Sequence, residues 1–326
     1  MNDLGEKAPA QVEASRVSFF RVGSEEAGQR IDNFLLRLAK GVPKSHVYRV
    51  IRGGEVRVNK KRVLVTYRLE VGDCVRLPPM RTAAVPPPQA VRAAEFPILF
   101  EDDQLLVVDK PAGVAVHGGS GVSYGVIEQL RAARPEATFL ELVHRLDRET
   151  SGILMLAKRR SSLTALHEQI REGAMDKRYL ALVLGAWPNA RQHIRAPLLK
   201  YLQGDGERRV RVDPAGVAAH SVVTLRERLN ERALLEVELK TGRTHQIRVH
   251  LAHLGFPIAG DDKYGDFAAN RELARSAAGP SLKRMFLHAW RLGLRHPASG
   301  AALAIEAPLP RACLDYLEAL RHAQTV

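Results

Sequence analysis

The sequence predicts an α+β protein: a small N-terminal module of two helices and a short curled sheet, joined by a linker to a large domain with a mixed, mainly antiparallel sheet and flanking helices. Three observations predict it. The chain has 326 residues, 45% of them hydrophobic, enough for a core in each of two domains. Its strand-like runs come in groups, without βαβ regularity, which argues against a parallel doubly wound sheet. Its texture also changes at Pro78-Pro79 and Pro86-Pro87-Pro88. These prolines bracket an Ala-rich stretch without periodicity, the composition of an extended linker. The expected boundaries are a disordered lead over 1–15, the small module over 16–78, the linker over 79–95 and the large domain over 96–326.

Taken in order, Ile31, Phe34, Leu35 and Leu38 recur at helical spacing and predict an amphipathic helix that Pro43 ends. Ser45 can cap a second helix with Val47, Val50 and Ile51 on one face, stopped by Gly53-Gly54. Val56 and Val58 alternate as a strand, and a further strand pattern runs from Val71 to Leu77. In the large domain, Ile98-Leu99-Phe100 and Leu105 to Val108 read as strands around an acidic turn. Gly152–Ala157, Tyr179–Leu184 and Leu234–Leu239 read as strands, and Leu163–Ile170 as a helix. Thr244 can cap a helix whose Ile247, Leu251 and Leu254 face inward, with Gly255 closing it. Residues 190–219 show little patterning. Residues 267–283, rich in Ala, Ser and Gly, read as a mobile insertion.

Net charge is +13, which points to a polyanionic partner. From Arg16 to Arg92 there are 16 Lys/Arg against 6 Asp/Glu, so most of the excess lies in the small module. Lys44, Arg49, Arg52, Arg57, Lys60, Lys61 and Arg62 alternate with the buried set and can form one positive face for phosphates. No predicted helix pairs such charge with an exposed aromatic face, so a membrane surface is the weaker partner. Cys74 and Cys313 lie far apart without a CxxC pattern, which indicates neither a disulfide framework nor a thiolate zinc site. Cys74 reads as an inert small apolar residue. The first 15 residues lack an apolar signal core and no run of 18 apolar residues occurs, so the expected location is the cytoplasm.

The most informative stretch is His144-Arg145-Leu146-Asp147-Arg148-Glu149-Thr150-Ser151-Gly152. It sets Asp147 between two arginines. Opposite charges nearby favour a carboxylate, which suits a nucleophile or base better than a proton donor. Competing chemistries lack their signatures. The Gly-x-x-x-x-Gly-Lys-Ser/Thr phosphate loop is absent. Gly119-Ser120-Gly121 is followed by Tyr124 where a dinucleotide fingerprint needs glycine. Gly-x-Ser-x-Gly is absent. His250 and His253 have usable ligand spacing, and His245 and His288 add candidates. But His-Glu-x-x-His is missing and no carboxylate shares that helix face, so no metal is expected.

Three ordered stretches carry a resemblance to the RluA-type pseudouridine synthases. They are the one holding Asp147, Lys177-Arg178-Tyr179-Leu180-Ala181-Leu182-Val183, and Thr241-Gly242-Arg243-Thr244-His245-Gln246-Ile247-Arg248-Val249-His250. Asp109-Lys110-Pro111-Ala112-Gly113 and His117-Gly118-Gly119 also look like family segments. Residues 18–78 resemble the S4-type RNA-binding domain through Arg30-Ile31-Asp32, Ser45, Arg49, Ile51, Gly54 and Val56-Arg57-Val58-Asn59.

The resemblance implies an S4-like RNA-binding domain and a catalytic domain that isomerises uridine in RNA without cofactor or metal. It implies Asp147, Tyr179 and Arg248 as catalytic residues, and Arg145, His144 and Ile247 around the substrate, with Arg145 as the wedge that replaces a flipped base. It also implies large-subunit ribosomal RNA as partner, free or in assembly intermediates. No coiled-coil or symmetric motif is visible in the sequence, so the expectation is a monomer on RNA. Lys44, Arg49, Arg52, Lys60, Lys61 and Arg62 are the expected RNA contacts of the small domain. A transfer-RNA substrate and a non-catalytic ribosome-assembly role are the alternatives.

Overall fold

The computed structural model describes residues 16–23, 25–39, 41–80, 91–119, 124–204, 207–275 and 281–325. The expected lead over 1–15 and residues 81–90 of the expected linker lie outside them. The chain forms two compact units, Met1–Ala90 and Val91–Val326.

The first unit runs β1 (Ser18–Arg21), α1 (Ile31–Leu38), α2 (Lys44–Arg52), β2 (Arg57–Val58) and β3 (Cys74–Leu77). Its sheet has the order β1-β3-β2, with both neighbours antiparallel to β3. Ile31, Phe34 and Leu35 from α1 and Val47, Val50 and Ile51 from α2 meet Val56, Val58, Val75 and Leu77 in one core. Helical spacing on α1 and α2 and period-two spacing on the strands thus supply the two halves of that core. Ser45 does not cap α2. Pro43 takes the N-cap position, and Ser45 sits exposed in the first turn. The strand expected from Val71 begins only at Cys74, because the chain first turns through Gly72 at φ 89°. Cys74 points to solvent, contrary to its reading as an apolar residue.

The second unit begins with β4 (Ile98–Glu101), β5 (Leu105–Lys110), α3 (Val126–Ala133), β6 (Glu141–Leu142), β7 (Ser151–Ala157), α4 (Arg160–Glu172) and β8 (Asp176–Leu184). It continues with β9 (Arg191–Arg195), β10 (Leu198–Leu202), β11 (Arg208–Val212), β12 (His220–Arg228), β13 (Arg232–Leu239) and α5 (Gln246–His253). It closes with α6 (Phe267–Arg275), β14 (Leu287–Arg295), β15 (Ala302–Glu306) and α7 (Arg311–Thr325). Among the described residues, the main sheet follows the order β4-β5-β7-β14-β8-β13-β12-β9, with β15 on β14 and β6 on β7. Its pairings are antiparallel except β7 with β14. The sheet is therefore mixed and mainly antiparallel.

Strand β8 shows why both faces are covered. Tyr179, Ala181 and Val183 enter the larger core, which also holds Ile247 and Leu251 of α5. Leu180 and Leu182 enter a second core with Leu273 of α6 and Cys313, Tyr316 and Leu317 of α7. A strand buried on both faces reads as a continuous apolar run, and alternation sends successive residues to opposite cores.

Two further expectations are corrected. The unpatterned stretch 190–219 contains β9, β10 and β11, the latter two paired as a separate hairpin. The sequences of β9 and β11 are basic, and the short apolar run of β10, interrupted by Lys200, is too brief to stand out as β8 does. Within 267–283, Phe267–Arg275 is helical and sets Leu273 into the second core.

Candidate active site

Residues 143–150 form the loop from β6 into β7, and Thr150 donates its amide to the Asp147 carbonyl at 3.1 Å. Two devices fix this loop. Lys110, fully buried at the end of β5, donates to the carbonyls of Pro111, Val114 and Arg148 at 2.8, 2.9 and 3.0 Å. Three acceptors need three N–H donors, which only the ammonium form supplies, although burial pushes the Lys110 pKa down to about 7.

The second device is the exit through Ser151 and Gly152. A Cβ on Gly152, at φ 107°, would lie 2.2 Å from the Ala289 carbonyl oxygen. Glycine thus permits the close parallel approach of β7 to β14. Arg284 donates to Ser151 Oγ at 2.7 Å, and Ser151 Oγ lies 2.9 Å from His288 Nδ1. His288 Nε2 lies 3.2 Å from the Ala307 carbonyl. A carbonyl only accepts, so Nε2 carries the hydrogen and Ser151 donates to Nδ1.

The loop forms one wall of a cavity of about 740 Å³. Asp147, Tyr179, Ile247, Arg248, Lys177 and His245 all line it. Three sequence stretches distant along the chain therefore converge here. Tyr179 is 8% exposed and Ile247 4%. Burial, reinforced by the Asp147 charge, pushes the Tyr179 phenol upward. Burial pushes the Lys177 amine downward.

Asp147 does not draw its charge partners from its sequence neighbours. Arg148 pairs with Glu149 at 2.7 Å, and Arg145 reaches His117 at 3.4 Å. The groups that face Asp147 are Arg248, with Nη1 3.4 Å from Oδ2, and His245, with Nε2 3.8 Å from Oδ1. Arg248 also donates to Asp261 through Nε at 2.8 Å and Nη2 at 2.7 Å, and its Nη2 lies 3.3 Å from Asp262. Its guanidinium lies over the Tyr264 ring at 5.2 Å. Burial opposes the Arg248 charge, but the Asp261 hydrogen bonds and the surrounding carboxylates outweigh it and raise its pKa. His245, at φ 54°, precedes α5 and pairs its Nδ1 with the Tyr264 hydroxyl at 2.7 Å. It takes the cap position expected one residue earlier for Thr244. Burial lowers its pKa against the pull of Asp147.

His144, expected beside the substrate, accepts the Met155 amide hydrogen at Nε2, 3.1 Å away. That bond anchors the loop to β7. Burial and the Lys177 charge push His144 down to about 4, so it is neutral at ordinary pH. Arg145 is exposed at the cavity rim. Both ring nitrogens of His250 are engaged, by Ser221 Oγ at 3.0 Å and the Ala196 carbonyl at 3.0 Å. Among the described residues, no three His, Cys, Asp or Glu side chains cluster as metal ligands.

Comparison with known proteins adds to this geometry. The sequence pattern described as RNA pseudouridylate synthase matches residues 104–253, and that of the S4 domain matches residues 29–75. Ribosomal large subunit pseudouridine synthase C of Salmonella typhimurium is 52% identical over 320 residues, covering 96% of this chain and all of the relative. The protein of that name from Pasteurella multocida is 47% identical, covering 99% of each. The chain belongs to the RNA pseudouridylate synthase family. A solved structure, human RNA Pseudouridylate Synthase Domain Containing 4, superposes with a TM-score of 0.57 at 27% identity, covering 69% of this chain and 92% of that one.

This RNA pseudouridylate synthase therefore carries a preformed cavity with a carboxylate, an apolar wall and fixed cations. Sequence reasoning missed Asp261, Asp262 and Tyr264. The run Gly260-Asp261-Asp262-Lys263-Tyr264-Gly265, three charged residues and an aromatic between two glycines, was the available signal. The expected RNA contacts of the synthase's S4 domain are exposed but divide among hollows. Lys44, Arg49 and Arg52 line one along α2, Lys60 a second, and Lys61 and Arg62 a third.

Proposed function

We propose that this enzyme converts chosen uridines of large-subunit ribosomal RNA to pseudouridine, with Asp147 as the carboxylate that frees the base. The observation that carries the reading is the convergence of Asp147, Tyr179 and Arg248 in one cavity. The naming of full-length relatives as ribosomal large subunit pseudouridine synthases supports this RNA over transfer RNA.

The reaction breaks the N1–C1′ bond, rotates uracil and joins C5 to C1′. The C5 proton leaves and N1 gains one, so atoms and oxidation state are conserved and the balance requires no cofactor. Asp147 acts either by attack at C1′ or by withdrawing a sugar proton. Arg248 does not touch the base; it orients Asp147 through a fixed guanidinium and is a positioning residue. Tyr179 and Ile247 pack against uracil, and Lys177 adds a cation to the same wall. The uridine must leave its stack, at a cost of a few kcal/mol. Arg145 at the rim fills the vacated place, its planar guanidinium suited to stacking. We further propose a monomeric cytoplasmic enzyme acting on free RNA or assembly intermediates. Among the described residues no helix is long and apolar enough to cross a membrane.

The test is tritium release from C5-labelled uridine in unmodified large-subunit RNA. Wild type should release tritium and folded Asp147→Asn should release none. Full activity in that variant would exclude the assignment. Activity on transfer RNA alone would transfer the substrate to the alternative, and RNA binding without release would favour an assembly role.

A further inference from the structure

The outer face of the small sheet carries chemistry that the active site does not use. Antiparallel register sets Phe19, Arg76 and Arg57 side by side across β1, β3 and β2. Phe19 is 67% exposed, while its neighbour Phe20 packs at 5.0 Å on Phe34 in the core. Alternation along β1 therefore leaves one aromatic ring in water without a packing role. Arg21 lies beside Cys74 in the next row of the same face. Phe19, Arg57, Lys60, Cys74 and Arg76 line a hollow of about 710 Å³, and none of the residues lining it is acidic.

Lys60 supplies a second, independent observation. Asn59 and Lys60 form a two-residue turn closed by paired bonds between Val58 and Lys61, at 3.0 and 2.9 Å, with φ of 50° and 65°. Such a turn favours Asn followed by Gly. Asn59 meets that preference and is further held by Asp73 at 2.7 Å. Lys60 occupies the glycine position in a left-handed conformation unfavourable for its side chain. The turn would close better without it, and its amine stands exposed beside the hollow. Strain held at such a position points to a use for the side chain.

We infer that this face binds an unpaired stretch of RNA, one base stacked on Phe19 and the adjoining phosphates held by Arg57, Lys60 and Arg76. An aromatic ring among cations fits a nucleotide, because every base has a π face and every linkage a negative charge. An acidic peptide would satisfy the cations but not the flat ring. The inference rests on the proposed RNA function and adds a contact surface apart from the α2 hollow.

Cys74 gives this face its own reporter. Cys313 is fully buried, so alkylation of the native protein by iodoacetamide reads Cys74. Unmodified large-subunit RNA should slow that alkylation. Affinity for the same RNA should fall roughly tenfold or more in Phe19→Ala and be retained in Phe19→Trp. Lys60→Gly should relieve the turn, so thermal stability holds or rises. Its RNA affinity should drop, and the slope of log affinity against log salt should flatten by about one. If wild type isomerises uridine but both variants bind as wild type does and Cys74 reacts equally with RNA present, the inference is wrong and the function stands. If RNA-free wild type already protects Cys74, another part of the chain covers the face and the inference is wrong. If wild type neither binds nor isomerises the RNA, the functional reading fails with it.

Discussion

Arg248 gives Asp261 two hydrogen bonds, at 2.8 and 2.7 Å, and reaches Asp147 with its remaining nitrogen at 3.4 Å. The firmer partner of the guanidinium is the carboxylate behind the site. Asp261 is fully buried and also accepts the amides of Lys263 and Tyr264. The geometry presented to Asp147 is thus set from the far side of Arg248.

Asp261→Asn should therefore damage catalysis without touching substrate. Loss of the bidentate pair lets Arg248 shift, and a misplacement of an ångström can cost roughly 10²-fold in rate. The fall should lie in kcat, with KM for RNA little changed. Removing one partner of a buried pair should also cost about 3 kcal/mol of stability. Steady-state tritium release and thermal unfolding read the two effects. Wild-type kcat in the folded variant would place the orienting role elsewhere.

Tyr179 should act as a neutral phenol. Burial and Asp147 both raise its pKa, so its ionisation should contribute no rise in rate between about pH 7 and pH 9. Tyr179→Phe should bind RNA as wild type does and lose kcat if the hydroxyl takes part in removing the C5 proton. A pH–rate profile of both proteins checks this. An alkaline limb that vanishes in Tyr179→Phe would contradict the neutral phenol.

His288 should make the fold acid-sensitive. Burial pushes it from 6.5 down to about 4, so between those values the unfolded chain binds a proton that the folded chain refuses. The stability is present above pH 6.5 and is lost as pH falls toward 4, on the order of 3 kcal/mol for this group. Thermal midpoints across that range should fall in wild type and fall less in His288→Asn. Equal slopes would mean that other groups carry the acid sensitivity.

Much of this architecture was legible in the sequence. The helices α1 and α2 and the strands β4, β5, β7, β8 and β13 declare themselves because each buries a face with an unbroken period. Asp147, Tyr179 and Arg248 stood out by motif, and the cavity brings them together. What the sequence hid depends on distant partners. Strands β9 and β11 are basic and half exposed, and β10 is a five-residue strand interrupted by Lys200, too short to mark itself. Asp147 sits between Arg145 and Arg148 in the sequence, but those arginines turn to His117 and Glu149, and the cation that faces it is Arg248, already singled out by motif about a hundred positions on. His144 lines the cavity as expected, and the partner the sequence could not name is the Met155 amide held by its ring nitrogen.

The Ser151–His288 bond spans 137 positions, and the strand that carries His288 is the parallel neighbour of the one leaving the Asp147 loop. Contacts of such separation form late, after the cost of closing a long stretch of chain has been met. During synthesis a chain released only as far as α5 holds Asp147, Tyr179 and Arg248 but lacks the strand between β7 and β8. A chain of that length therefore cannot complete the sheet that backs the cavity until the segment carrying β14 is also available.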